Sequence, residues 1–140
     1  MYGIRRYPGA QLPENVMLIG GFRSLGTELH VTIMSGVLDG QHFSFDRENK
    51  DGQLKDSRWL ISIGRHEDRD IYLPDDLFLS RLHAYIIREK DQWLLQDCDS
   101  TNGSFLEDGI QDKQFTGTII IQPGQLFKLG RTWMRIDEQQ

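Results

Sequence analysis

Residues 84–97 read AYIIREKDQWLLQD, and this stretch decides the class of fold. Apolar and polar side chains largely alternate over residues 84–88 and again over residues 92–97, as they do in half-buried antiparallel strands. Lys90 and Asp91 separate the two runs and supply polar side chains suited to a tight turn. The stretch therefore predicts a β-hairpin.

Similar short runs recur on both sides of this hairpin. In chain order they cover residues 28–34, 41–45, 59–63, 71–73, 117–121, 127–129 and 133–136. Asp39-Gly40, Asp108-Gly109 and Pro123-Gly124 supply turn signals between them. No window of eleven or more residues carries the three-and-four spacing of an amphipathic helix. The pattern predicts an all-β sandwich or barrel.

Two stretches carry no strand pattern. Residues 46–57 are polar and contain Asp51-Gly52, so we expect a solvated loop there. Residues 1–26 hold Pro8, Pro13 and five glycines without periodicity. We therefore predict an N-terminal arm over residues 1–26, one domain over residues 27–137 and a short tail over residues 138–140.

Composition excludes several classes of function. The net charge of −5 is opposite to that of proteins that bind nucleic acid through the phosphate backbone. Cys98 is the single cysteine and the four histidines show no ligand spacing, so we expect no disulfide, no metal and no cofactor. No apolar run is long enough to span a membrane. We expect a cytoplasmic protein that contacts neither membrane nor nucleic acid.

Three predicted loops hold the chemically informative residues. They are Gly64-Arg65, the Ser-Arg-Leu-His stretch at residues 80–83, and the Ser-Thr-Asn-Gly stretch at residues 100–103. The second and third loops are separated by one hairpin of two strands, so they emerge at the same end of a sandwich. Only the short run 71–73 separates the first loop from the second. The connection 74–79 is therefore expected to fold back along that run.

These motifs, in this order and spacing, resemble the forkhead-associated domain. The resemblance extends over residues 28–137. Further residues that agree with the family pattern are Asp70, Ile71, Leu73, Trp93, Leu95, Asp97, Gly124, Leu129 and Gly130. The resemblance implies an eleven-stranded antiparallel β-sandwich of two twisted sheets. It also implies a binding site on the loops at one end for phosphothreonine in extended peptides. The implied partner is a threonine-phosphorylated protein or peptide.

The resemblance assigns phosphate binding to Arg65, with Ser80 donating its hydroxyl and Arg81 as a further cation. A phosphothreonine carries about −1.5 to −2 charges and three acceptor oxygens, so arginine and hydroxyl donors suit it. Other interpretations remain open at this stage. Arg65 could form a surface ion pair with Asp68 or Asp70, Ser80 could cap a turn, and Arg81 could cover a sheet edge.

The remaining assignments concern residues beside the phosphate. The resemblance places Thr101 next to it and uses the side chain of Asn102 to hold the peptide backbone, although the pair could equally stabilise its own turn. Gly64, His83 and Gly103 are expected to support the binding loops. We expect no catalytic residue.

Three features of the sequence depart from the family pattern or refine it. The stretch 104–109 is one residue longer than the usual hairpin. Glu67 and Asp68 bring charges that oppose a nearby phosphate. Phe78 lies on a loop that contacts residues after the phosphothreonine in the family, so an apolar residue is favoured there.

Four hypotheses for function follow from these observations. The first is a phosphothreonine-dependent adaptor in Ser/Thr kinase signalling. The second is a scaffold of the same fold that binds partners without phosphate. The third is an enzyme, which would need a nucleophile or paired acids that the sequence does not show. In the fourth, a phosphorylated Thr27 occupies the site of its own chain or of another copy. The sequence leaves the oligomeric state open.

Overall fold

The computed structural model describes residues 27–138, which form twelve β-strands. In chain order they are β1 (Glu28–Ile33), β2 (His42–Asp46), β3 (Gln53–Lys55), β4 (Arg58–Gly64), β5 (Ile71–Tyr72), β6 (Ala84–Glu89), β7 (Gln92–Asp97), β8 (Ser104–Glu107), β9 (Asp112–Phe115), β10 (Thr118–Ile121), β11 (Phe127–Leu129) and β12 (Thr132–Ile136). One 3-10 turn covers Arg47–Asn49. Residues 27–138 contain no helix that is long and apolar enough to cross a membrane.

The strands build two sheets. Sheet A has the order β2-β1-β12-β11-β8-β9, and sheet B has the order β10-β7-β6-β4-β3 with β5 beside β4. The predicted hairpin is β6–β7, in which Ile86 pairs with Leu95 and Ala84 with Asp97. The predicted sandwich of two sheets is confirmed. The structure has twelve strands instead of the expected eleven.

The core lies between the two sheets and follows from the alternation in the sequence. Leu29, Val31 and Ile33 point inward from β1 and are fully buried. They pack in one cluster with inward side chains of sheet B such as Ile61 and Ile86. Each fully buried aliphatic side chain of this kind contributes roughly 1.5–3 kcal/mol of hydrophobic stabilisation. This rigid core supports the loops that emerge at its ends.

The expectation of a solvated loop over residues 46–57 was partly wrong. Gln53–Lys55 forms the edge strand β3, in which Leu54 pairs with Trp59 of β4. All three residues of β3 are exposed. The strand is held by backbone hydrogen bonds to its neighbour and carries no apolar alternation that a sequence pattern could reveal.

The expected path around β5 was also wrong. β5 pairs in parallel with β4, with Ile63 opposite Ile71, so it ends at the same end of the sandwich as β4. The chain therefore reverses within residues 65–70 and not within residues 74–79. Asp70 stabilises this reversal because its Oδ2 accepts hydrogen bonds from the backbone N–H (2.8 Å) and the hydroxyl (3.0 Å) of Ser62.

Strand directions divide the connections between two ends of the sandwich. Residues 34–41, 65–70, 73–83, 98–103, 116–117 and 130–131 lie at one end, called here the site end. β1 begins and β12 ends at the opposite end. The predicted arm over residues 1–26 and residues 139–140 of the predicted tail lie outside the described residues, so the domain boundaries stay a prediction.

Candidate functional site

Arg65 follows β4 directly and is anchored by the loop before β6. Its backbone N–H donates to the carbonyl of Ser80 at 3.0 Å, and its Nε donates to the carbonyl of Leu79 at 3.0 Å. The side chain is exposed. Within residues 27–138 neither Asp68 nor Asp70 forms an ion pair with it. The Nε bond therefore orients the terminal guanidinium nitrogens, which have no acidic partner in the described part of the chain.

Gly64 allows the first two loops to approach each other. A Cβ added there would overlap the carbonyl oxygen of Arg81 and lie 2.7 Å from its carbonyl carbon. The adjoining backbone N–H of His66 donates to the same Arg81 carbonyl at 3.4 Å. Any larger residue at position 64 would separate the loops, so the expected supporting role of this glycine has a steric basis.

The third loop is joined to the second by two hydrogen bonds. The backbone N–H of Thr101 donates to Ser80 Oγ at 3.1 Å, and Asn102 Nδ2 donates to the carbonyl of Phe78 at 3.0 Å. Ser80 Oγ acts as an acceptor in this bond, so its hydroxyl hydrogen can still be donated outward. The amide oxygen of Asn102 likewise remains open to a peptide N–H.

His83 connects the second and third loops through its buried side chain. Its side chain is fully buried, Nδ1 accepts from the backbone N–H of Ser80 at 3.0 Å, and Nε2 lies 3.0 Å from the carbonyl of Gly103. A ring with Nδ1 as acceptor and Nε2–H as donor satisfies both contacts and is neutral. Burial lowers the pKa of His83, which favours this neutral form. The expected supporting role agrees with these contacts.

Asp97 organises the start of the third loop, and the sequence reasoning missed this role. Its Oδ1 accepts the hydroxyls of Ser100 and Ser104, each at 2.6 Å, and its Oδ2 accepts the backbone N–H of Ser100 at 3.1 Å. Burial alone would raise the pKa of Asp97, but the hydrogen bonds from the two serines outweigh it and lower the pKa. Gly103 follows at φ +93°, a backbone conformation that favours glycine.

Asp76 performs the equivalent task for the second loop and was also missed. Its Oδ2 accepts the backbone N–H of Arg131 at 2.8 Å and the hydroxyl of Thr132 at 2.6 Å, while its Oδ1 accepts the N–H of Phe78 at 2.9 Å. The guanidinium of Arg131 stacks over the Phe78 ring at 3.8 Å. The loop that carries Ser80 is thus fixed to the β11–β12 turn.

A cavity of about 280 Å³ adjoins this loop at the site end. Its apolar lining includes Val37, Leu38, Leu77 and Phe78. Val37 and Leu77 are 86% and 78% exposed, which is unusual for large apolar side chains. Because the Phe78 carbonyl is bonded to Asn102, the cavity and the three loops form one continuous surface.

The structure therefore brings Arg65, Ser80, Thr101 and Asn102 together through direct contacts among their loops. Arg81 lies next to Ser80 with an exposed side chain that has no ion-pair partner among residues 27–138. We call these five residues the cup.

Thr27 lies at the end of the sandwich opposite the cup. Its carbonyl accepts the backbone N–H of Arg47 at 2.6 Å, just beyond the end of β2. The six residues of β1 span roughly 20 Å at about 3.3 Å per residue. A phosphate on Thr27 therefore cannot reach the cup of its own chain, and only the version with a second copy survives as a hypothesis.

Residues 61–130, half of the chain, match the family model described as the FHA domain. The chain belongs to the FHA domain family. Domains of this family are interaction modules. The matched segment contains the whole cup, and the resemblance inferred from the sequence is confirmed.

Individual relatives are similar over shorter or more divergent stretches. A protein named oxoglutarate dehydrogenase inhibitor from Corynebacterium jeikeium is 40% identical over 62 residues, which cover 41% of this chain and 42% of that protein. The matched stretch thus spans less than half the length of that relative.

Two solved FHA structures show the same fold. An FHA domain from an Arabidopsis thaliana hypothetical protein superposes with a TM-score of 0.66 at 20% identity, covering 89% of this chain and 96% of that one. A domain studied for phosphothreonine-dependent FHA domain interactions gives a TM-score of 0.61 at 22% identity, covering 81% and 99%.

Proposed function

We propose that this FHA domain binds phosphothreonine segments of partner proteins and acts as an adaptor in Ser/Thr kinase signalling. The observation that carries the proposal is the docking of three loops into one cup with oriented donors. Arg65 is fixed through its Nε, and its outer nitrogens have no acidic partner in the described part of the chain. The proposed function involves no catalytic step.

Each donor of the cup has a defined task. Arg65 and Arg81 supply charge, and the hydroxyls of Ser80 and Thr101 can donate to the phosphate oxygens. The amide of Asn102 uses one hydrogen on the Phe78 carbonyl, and its oxygen can accept a hydrogen bond from the peptide backbone. The cup is formed before the ligand arrives, so little ordering energy is lost on binding.

The expected affinity follows from these contacts. Hydrogen bonds to charged groups contribute about 1.5–3 kcal/mol each. Three or four of them must offset an association cost of about 4 kcal/mol or more. The upper end of this balance is about 8 kcal/mol, which corresponds to a dissociation constant of about 1 μM, so we expect binding in the micromolar range or weaker. The chain has a net charge of −5, so the attraction is local to the cup.

The cavity beside Phe78 supports a preference in the bound peptide. Phe78 and Leu77 present apolar surface next to the bond that fixes Asn102. An apolar side chain downstream of the phosphothreonine would bury area against them, at about 25 cal/mol per Å². We therefore expect peptides with an apolar residue after the phosphothreonine to bind more tightly.

The test is an oriented phosphopeptide array measured with the wild type, Arg65→Ala and Ser80→Ala. Removal of the Arg65 contacts is expected to weaken binding of the best phosphothreonine peptide about 10- to 100-fold, corresponding to about 1.5–3 kcal/mol. Arg58→Ala, at the opposite end of β4, is the matched control and should bind as the wild type does. Equal binding of phosphorylated and unphosphorylated peptides would refute the proposal.

The alternative of a phosphate-independent scaffold makes a different prediction in the same experiment. A partner that uses the apolar cavity alone would bind without phosphate and would tolerate Arg65→Ala. It would be weakened by Leu77→Ser, which changes the cavity lining and leaves the cup intact. The two variants together separate the hypotheses.

A further inference from the structure

Two imidazole rings meet on the outer face of sheet A, on the solvent side of β1 and β2. In the register of these strands His30 is opposite Ser44 and His42 is opposite Thr32, so the two rings are diagonal neighbours. Nδ1 of His30 and Nε2 of His42 lie 3.3 Å apart. The side chains are 30% and 49% exposed, so solvent reaches both rings.

In each ring the nitrogen that points away from the other ring, called here the far nitrogen, lies next to a carboxylate. Glu28 Oε1 lies 3.0 Å from Nε2 of His30, and Asp137 Oδ2 lies 3.3 Å from Nδ1 of His42. A carboxylate accepts hydrogen bonds, so each far nitrogen carries the ring proton. The Thr32 hydroxyl also lies 3.3 Å from Nδ1 of His42. It donates its hydrogen to Asp137 at 2.7 Å and therefore cannot donate it to this nitrogen.

The near nitrogens then face each other as two acceptors. The Ser44 oxygen also lies 3.0 Å from Nδ1 of His30, so its hydroxyl hydrogen must rotate away when a metal ion takes the single lone pair of that nitrogen. Nε2 of His42 has no donor among residues 27–138 when both rings are neutral. Two facing lone pairs repel each other, and a cation placed between them removes the repulsion.

We propose that His30 Nδ1 and His42 Nε2 bind a divalent transition-metal ion of the zinc type. At Zn–N distances of about 2.0–2.1 Å, two nitrogens of a tetrahedral shell lie roughly 3.3–3.4 Å apart, as these two do. Glu28 and Asp137 supply the carboxylate contacts that commonly orient metal-binding imidazoles. Imidazole suits zinc, copper and nickel, whereas calcium and magnesium prefer oxygen.

The surrounding charges and ligand number set the strength of this site. Glu28 and Asp137 are negative, and Arg135 contacts Asp137 at 3.0 Å, so the three groups sum to one negative charge. No three His, Cys, Asp or Glu side chains in residues 27–138 are arranged to hold a metal together. Water therefore completes the shell. The ion would join β1 to the edge strand β2.

The test is a Zn²⁺ titration of the full chain, followed by calorimetry and by the ¹⁵N resonances of the imidazole rings. One equivalent should shift the His30 and His42 resonances. His30→Asn and His42→Asn should each weaken binding at least 10-fold. His66→Asn is the matched control, since this exposed ring lies 3.5 Å from a single carboxylate, Asp68, and it should bind as the wild type does.

Two further measurements complete the test. Asp137→Asn should weaken Zn²⁺ binding about 10- to 100-fold while His30 and His42 remain in place. Melting temperatures in the presence of a chelator show that all variants are folded. Unchanged resonances of His30 and His42 at saturating Zn²⁺, or equal Zn²⁺ affinity in wild type and both histidine variants, would overturn the proposal.

Discussion

The neutral ring of His83 makes the stability of the domain depend on pH. Burial holds the pKa of His83 below 6.5, the ordinary value that applies in the unfolded chain. Above pH 6.5 the ring is neutral in both states and the full stability is present. As the pH falls below 6.5, the unfolded chain takes up a proton that the folded chain refuses, so folding loses free energy.

The magnitude follows from this difference of one proton. The slope is about 1.4 kcal/mol per pH unit for as long as the folded ring stays neutral, so a fall from pH 6.5 to 5.0 costs up to roughly 2 kcal/mol. Asp97 affects the stability over a separate, more acidic pH range. Its lowered pKa contributes stability that is present above the ordinary value of 3.8 and is lost below it.

The assay is urea unfolding of wild type and His83→Gln between pH 7.5 and 5.0. Glutamine supplies one acceptor and one donor but does not titrate. We expect the variant to be about 1–3 kcal/mol less stable at pH 7.5, because both of its polar atoms sit on one carbon and cannot reach Ser80 and Gly103 as the two ring nitrogens do. We also expect its stability to fall less steeply below pH 6.5. Identical pH profiles for the two proteins would refute the assignment of a buried neutral ring.

Three further outcomes are expected. Gly64→Ala should cost about 1–3 kcal/mol in chemical unfolding and at least 10-fold in phosphopeptide affinity. Gly109→Ala, in the β8–β9 turn at the opposite end, meets nothing within 4 Å and should leave affinity unchanged, although its φ of +85° makes alanine unfavourable for stability there. Asp76→Asn should cost about 1.5–3 kcal/mol and speed hydrogen exchange at the Arg131 amide; unaltered exchange would contradict its anchoring role. Phosphopeptide affinity should fall between 50 and 500 mM salt, and Arg65→Ala should reduce that dependence; equal slopes would argue against charge as its contribution.

The fold was largely predictable because its strands alternate apolar and polar residues and are separated by turn residues. β6 and β7 meet at Lys90, whose φ of +57° fits the tight turn expected there. β3, β8 and β9 were not among the predicted runs. Backbone pairing holds β3 against β4, and neither β3 nor β9 has a fully buried side chain that would leave a pattern in the sequence. The parallel pairing of β5 also could not be predicted, because a strand of two residues carries no sequence pattern that distinguishes parallel from antiparallel pairing.

The residues of the cup could be predicted from the sequence, but the contacts that hold its loops together could not. Arg65, Ser80 and Asn102 stand in motifs that the sequence displays. Two carboxylates hold these loops. Asp97 contacts residues 3 and 7 positions further along the chain, whereas Asp76 contacts residues 55 and 56 positions further along. The distant contacts of Asp76 arise only when two sheets bring separate turns together.

The placement of the first and last strands has a practical consequence for attachment. β1 starts and β12 finishes on the side of the sandwich that faces away from the cup. A tether, label or neighbouring domain joined at residue 27 or residue 138 would therefore leave the three loops pointing outward. The domain should keep its ligand access when it is immobilised on a sensor surface through either junction.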